Sequence, residues 1–352
     1  MFKLNELIKN TLAEMRKEFK GTDEEFNARI KEKSTELLTG TAKIFTAGLY
    51  KFYEEKRINE IQESYTKFLN WNEEIYGDAF KLFLMYIDLT VTVNTDMTKH
   101  FKVDKFPDDQ KLKFGQLLHL HIKGCQIANE IHALIKGGYA DAALARWRTL
   151  HETSVIFIAL FSNDLEVSKM FYEYQFIEKL KRVETFEIHR GTLNWKAPDV
   201  ETVNLLRKKR DELVGLYGRD FLKEYGWTKR FLKKNDRNFV SLEKEVGLDY
   251  LRPFYQWANK GVHAGPEGTF TRLGFDDINI PRQYLAGPSR YGMVDPMQFT
   301  TYSLLKMTAG LIDLTGAFES KLLLLVLEQL HDAIAESMLE GKAKLPETNN
   351  LS

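Results

Sequence analysis

Four residues of this chain combine types and spacings that could do chemistry: Arg148, Glu152, Asn259 and His263. The first two lie in Ala140–Phe161, a segment that turns wholly apolar after Glu152. Charge on such a face is rare unless it is paired or used. At ~100° per residue Arg148, His151 and Glu152 share one arc with Val155 and Ala159. Arg148 and Glu152, at i and i+4, can bond to each other. Such a pair either neutralises itself and fixes the helix, or offers an anion a guanidinium fork steadied by its carboxylate. Asn259 and His263 are also at i and i+4, in Pro253–His263, with Gln256 a turn earlier. His263 falls at the helix end beside Gly-Pro-Glu-Gly, where it serves as a cap or as a general acid/base at the rim of a loop-covered cleft.

Basic runs offer a different chemistry. Lys229, Arg230, Lys233 and Lys234 surround Phe231 and follow Trp227, a mixture of cations and rings that suits a phosphate backbone. The same run, like Arg207–Arg210, also reads as a solvated face. His119, His121 and His132 lack the spacing of a helical zinc site, so no metal is expected, and no cofactor motif is present. Cys125, the single cysteine, excludes an internal disulfide, and its amphipathic setting marks it as a small core residue.

The elements that must position these residues read as helices. With Lys plus Arg at 50 and Asp plus Glu at 50, no global charge draws the chain to nucleic acid or anionic lipid. Eight prolines in 352 residues leave long stretches at helical period. Helices are expected near 2–19, 23–38, 42–70, 72–99, 109–136, 139–162, 165–190, 199–224, 240–249, 253–263 and 296–340. Lys136-Gly137-Gly138 stops one helix, Asp164 caps another, and Asp295-Pro296 starts a third. The expected fold is an all-α multi-helix bundle with a long Gly/Pro-rich loop insert at 264–295. Residues 1–105 form an N-terminal helical region for packing or dimerisation, and 106–340 the main domain. Neither end carries an apolar run long enough for a signal or a membrane span, so a cytoplasmic protein is expected.

From Tyr139 the pattern Gly-Tyr-x-Asp-Ala-Ala-Leu-Ala-Arg-x-Arg-Thr-Leu-x-Glu, followed much later by Asn259-Lys260-Gly261-Val262-His263-Ala264, resembles a bacterial all-helical family catalogued as a domain of unknown function. The resemblance covers about residues 110–325 and implies that Arg148, Glu152, Asn259 and His263 converge. More distantly it is similar to HEPN proteins, helical domains that include metal-independent ribonucleases and antiviral toxins, whose hallmark is Arg, four to six residues, then His. Arg146-x4-His151 meets that spacing, although Arg146 points roughly 140° away from His151. By this resemblance His263 would move a proton and Arg148 would stabilise charge on phosphate, with Lys229, Arg230, Lys233 and Lys234 holding RNA. The alternative expectation is a non-enzymatic sensor or partner-binding module, working through loop 264–295. A homo-oligomer is expected under either reading. A third is a small-molecule binder with an apolar cleft between the central helices.

Overall fold

A computed structural model describes residues 4–100, 107–193, 196–270, 286–314 and 318–345, and among these there is no strand. The chain is all-α, as its period demands. It divides into two compact units, residues 1–68 and 69–352.

The first unit holds α1 (Leu4–Glu18), α2 (Asp23–Glu32), α3 (Ser34–Phe52) and the start of α4 (Ile58–His100). Thr22 opens α2 with a capping box: its Oγ1 accepts from Glu25 N at 3.2 Å while its own N–H reaches Glu25 Oε2 at 2.9 Å. Between α3 and α4 the backbone makes a π-helical turn, Tyr53–Arg57. The expected break near residue 71 is absent, because Asn70-Trp71-Asn72 contains neither Gly nor Pro to interrupt the ladder. No described side chain of residues 1–68 is buried.

The second unit has the core. It comprises the rest of α4, then α5 (Asp108–Lys136), α6 (Ala140–Ser162), α7 (Leu165–Leu193), α8 (Val200–Tyr217), α9 (Phe239–Glu245), α10 (Arg252–Val262), α11 (Pro266–Phe270), α12 (Val294–Asp313) and α13 (Phe318–Ala343). Helix α6 is the hub, with α5, α10 and α12 packed on it, while α13 packs on α12 and α8 on α7. Phe80 and Phe83 of α4, Ile127 and Ile131 of α5, Trp147 and Phe157 of α6 and Leu304 and Met307 of α12 are almost wholly withdrawn from solvent. Each stabilises the fold by about 1.5–3 kcal/mol. Trp147 satisfies its indole N–H on Phe299 O and Ser303 Oγ, both at 3.1 Å. The expected helix boundary at Gly137-Gly138 holds, with Gly138 at φ 80°, a region L side chains avoid. Asp164 caps α7 through Val167 N at 3.0 Å. The expected helix 296–340 is two helices. Asp295 is not the cap of the first, which begins at Val294 with Met293 before it. Nearly half of the expected insert, 271–285, lies outside the described residues.

A polar knot joins α4, α5 and α12. His121 Nδ1 meets Asn94 Oδ1 and its Nε2 meets Thr308 Oγ1, each at 2.8 Å, with Cys125 Sγ 3.6 Å from Nδ1. Burial pushes the Cys125 thiol up to about 11. A buried, protonated thiol reacts slowly. Native protein should therefore leave a thiol reagent unconsumed for as long as it stays folded, and release one equivalent of product once denaturant is added. Rapid labelling of native protein would contradict the burial.

No described helix is long and apolar enough to cross a membrane, and no described group of His, Cys, Asp and Glu is arranged to hold a metal ion.

Candidate functional site

Helix α10 runs antiparallel along α6. Its Tyr255 meets Glu152, its Asn259 meets Arg148 and its Gly261 approaches the start of α6, where a Cβ would lie 3.4 Å from Asp141 O. The pairing follows from pattern: Tyr255, Asn259 and the small Ala258 recur on one face of a short, strongly amphipathic helix.

The contact is a polar network. Arg148 Nη2 lies 2.9 Å from Glu152 Oε1, and its Nε donates to Asn259 Oδ1. Tyr255 donates to the same Glu152 oxygen at 2.6 Å. Two guanidinium groups approach the Tyr255 ring, Arg148 at 4.8 Å and Arg252 at 5.0 Å from its centroid. Burial first, and then the bond to Glu152, raise the Tyr255 phenol well above its ordinary value, so it stays a donor. Deeper in, His151 Nε2 sits 2.8 Å from Glu243 Oε1, and Arg252 Nη1 sits 2.7 Å from Glu243 Oε2. His151 and Glu243 are both fully buried, among the rings of Trp147, Phe239 and Tyr255. His151 Nδ1 is buried without a partner. Two arginines balance two glutamates, which is what lets so much charge leave water.

Tyr225 borders the network. It takes a left-handed backbone, φ 52°, uncommon for a side chain of this size. Its phenol is pushed up to about 12, chiefly by burial and then by Glu152. The next residue, Gly226, has no room for a Cβ, which would fall 2.1 Å from Phe221 O. The turn therefore requires glycine at 226.

Of the four residues expected to converge, three do: Arg148, Glu152 and Asn259. His263 stands apart. It is the C-terminal cap residue of α10, where its backbone N–H bonds Asn259 O at 2.9 Å. Its imidazole is exposed. Since Gly261 meets Asp141, His263 lies near the first turn of α6, seven residues and about 10 Å of helix rise from Arg148. There it lines two adjoining open clefts. One, of about 640 Å³, has Gln256, Trp257, Asn259, Lys260 and Glu267 on its walls; the other, of about 460 Å³, has Asp141, Ala142 and Thr269. Gln256, Asn259 and His263 thus share a cleft, as their spacing suggested.

The basic run is largely engaged within the chain. Lys229 Nζ donates to Tyr217 O at 2.6 Å, Arg230 pairs with Asp164 at 2.8 Å and Lys234 with Asp220 at 3.2 Å, while Arg230, Lys233 and Lys234 all remain exposed. Trp227 is buried, edge-on to Phe171 at 5.0 Å, so it offers no ring face to a base. Arg146 pairs with Glu130 and His151 with Glu243, so the Arg146–His151 spacing does not bring those two side chains together.

The sequence reading missed Glu243, Arg252 and Tyr255. Tyr255 had a signal, since it lies four residues before Asn259 and so on the same face. Glu243 had none, being one acid among the charges of a seven-residue helix.

What the fold and network define is an all-helical body whose central helix pair is locked by balanced charge. Residues 116–280 match the model of a family of unknown function (DUF5677), just under half of the chain, and the match spans both elements that carried the resemblance. No curated protein and no solved structure matches.

Proposed function

We propose that the chain is a non-enzymatic helical module that binds an acidic segment of a partner protein in the cleft between the start of α6 and the α10–α11 corner. One observation carries the reading: Arg148 is committed to Glu152, Asn259 and Tyr255 inside the network, with its charge balanced. A group held that way fixes α10 on α6 and so shapes the cleft, whereas a group that stabilises charge on phosphate must face the reacting atoms. The cleft offers Lys260, His263 and Gln256 beside the Trp257 indole, and its α11 rim begins the 264–295 segment. An acidic ligand would compete with Glu267, which pairs with Lys260.

A metal-independent ribonuclease of HEPN-like type is the second reading. It is favoured by the exposed imidazole of His263, free to move a proton in a cleft that also contains Lys260 and Asp141.

Purified protein incubated with single-stranded, structured and transfer RNAs in EDTA is expected to cleave none of them. Peptide arrays graded in Glu and Asp content should show binding that weakens about tenfold on Lys260→Ala, the loss of one charge-assisted contact. The same binding should survive Lys233→Ala. Cleavage by wild type that disappears in His263→Ala, with the melting temperature nearly unchanged, would overturn the proposal in favour of the nuclease.

A further inference from the structure

A further cleft opens at the C-terminal end of α6, sharing no residue with those beside α10 and α11. Its volume is about 600 Å³, within the range that takes a small organic molecule. Helix α12 supplies one wall. Tyr302, Lys306, Gly310 and Asp313 follow at steps of four, four and three, so the helical period sets them in one line along the cleft. Phe157 and Phe161 of α6 lie beneath, their ring centroids 6.5 Å apart and their planes only 12° from parallel. Gly310 makes room for them, since a Cβ there would fall 2.7 Å from Phe157 Cε1. Leu248, in the turn after α9, and Leu324 of α13 complete an apolar trough.

Polar groups gather at one end of the trough. Tyr250, on the single turn Asp249–Leu251, and Tyr302 of α12 bond through their hydroxyls and tie the two walls together. Such a pair uses one hydroxyl proton, and the accepting hydroxyl keeps its own to donate. Burial first, and then this bond, raise the Tyr250 phenol above its ordinary value, so that donor is retained at neutral pH. Lys306 stands next along α12, with Nζ 5.1 Å from the Tyr302 ring centroid. Among the described residues no carboxylate pairs with it. Asp313, the other charged group of the cleft, is seven residues on, about 10 Å of helix rise. That exceeds the screening length of roughly 8 Å at physiological salt, so Asp313 leaves most of the Lys306 charge uncompensated. A cation and a hydroxyl donor therefore line the head of a trough of rings and aliphatic side chains. Water suits that head but not the trough, and a neutral apolar molecule suits the trough but not the head. An anion with an apolar body suits both.

We propose that this cleft binds a small aromatic carboxylate, its carboxylate on Lys306 and the Tyr250–Tyr302 pair and its ring in the trough over Phe157 and Phe161. Flat, nearly parallel rings favour an aromatic body, which can stack offset on them, over a flexible acyl chain. The trough also bounds the ligand. About 6 Å of helix rise separates Lys306 from Gly310, so a carboxylate joined to its ring by one or two carbons reaches from one to the other. The site stands apart from the cleft beside α10 and α11, and does not depend on the function proposed for that one.

Titration calorimetry of the full chain with naphthaleneacetate, its neutral amide and naphthylmethylamine tests it. The carboxylate should bind saturably at one site. The amide should bind about tenfold more weakly, for want of the charge-assisted contact, and the amine more weakly still. Lys306→Ala, at an exposed position, should lower the carboxylate's affinity about tenfold and leave the amide's unchanged, so that the two become equal. Ala309→Phe fills the trough from a half-exposed position and should abolish binding of both, with helical circular dichroism as in wild type. Lys260→Ala, in the other cleft, should leave binding unchanged. A wild type that binds no carboxylate would overturn the proposal. So would equal affinity for carboxylate and amide, tighter binding of the amine, or a carboxylate affinity indifferent to Lys306→Ala.

Discussion

Replacing Glu243 by Ala is expected to destabilise the chain by about 3–5 kcal/mol, more than any other single change in the network. Glu243 is fully buried and serves two donors, the His151 ring at 2.8 Å and Arg252 at 2.7 Å. Its loss leaves a ring nitrogen and a guanidinium facing apolar neighbours, with Arg252 only about a quarter exposed. The penalty is that of unmet polar groups rather than of one lost contact. Glu152→Ala is the comparison. Its side chain is 31% exposed, so water can replace it for Arg148 and Tyr255, and a cost near 1 kcal/mol is expected. Urea unfolding followed by circular dichroism reads both, provided the slope with denaturant is unchanged. Equal losses for the two variants would show that burial does not set the cost.

This contrast also explains how much of the site was legible in sequence. Arg148 and Glu152 are four residues apart, and helical geometry alone makes them neighbours. Asn259 was visible for a similar reason, as a polar residue repeating with His263. Their meeting across helices was implied by resemblance and is accomplished by Asn259, with His263 left at the helix end. The partner of His151 was not legible, because Glu243 lies 92 residues away and no local pattern marks an acid as buried. The intrachain pairing of the basic run was not legible for the complementary reason. Its composition suits phosphate, yet Asp164 and Asp220, distant in sequence, bond two of its cations. Fold class was legible throughout, since periodicity is local. The π turn was not, because a five-residue apolar step reads as a flaw in a helical pattern until the backbone hydrogen bond across it is seen.

The network also has a consequence for how the cleft is built. Helix α10 has only eleven residues, too few to be stable alone in water. Its register on α6 is set by the bonds of Tyr255 and Asn259 to Glu152 and Arg148. Lys260, Gly261 and His263 follow within one turn, so whatever fixes Asn259 also fixes the cleft wall. A defect in the pair would then reach ligand binding through position rather than through contact. That is the physical sense in which Arg148 is a positioning residue here.

Acid should unfold this protein earlier than its carboxylates require. His121 is fully buried, and the groups that bond it are neutral: Asn94 on α4, Cys125 on α5 and Thr308 on α12. Burial pushes its imidazole from the usual 6.5 down to about 3. The folded state therefore refuses a proton that the unfolded chain accepts below 6.5. Stability is fully present above about pH 6.5 and falls as pH drops from there toward 3, by up to ~1.4 kcal/mol per pH unit. His132 and His331, also lowered by burial, act in the same direction. The salt-bridged carboxylates Glu130, Asp164 and Asp220 are held below their ordinary values, so their contribution is lost only in more acid solution. Between about pH 6.5 and 4.5 the histidines dominate, and a loss of about 2–3 kcal/mol is expected from His121 alone. Urea midpoints at about pH 7.5, 6 and 4.5 measure it for wild type and for His121→Gln. The variant starts less stable, since its amide replaces the ring bonds imperfectly, but its slope with pH should be much flatter. A wild-type stability that stays level down to about pH 4.5, or a slope that His121→Gln leaves intact, would mean that the knot between α4, α5 and α12 admits a proton without opening.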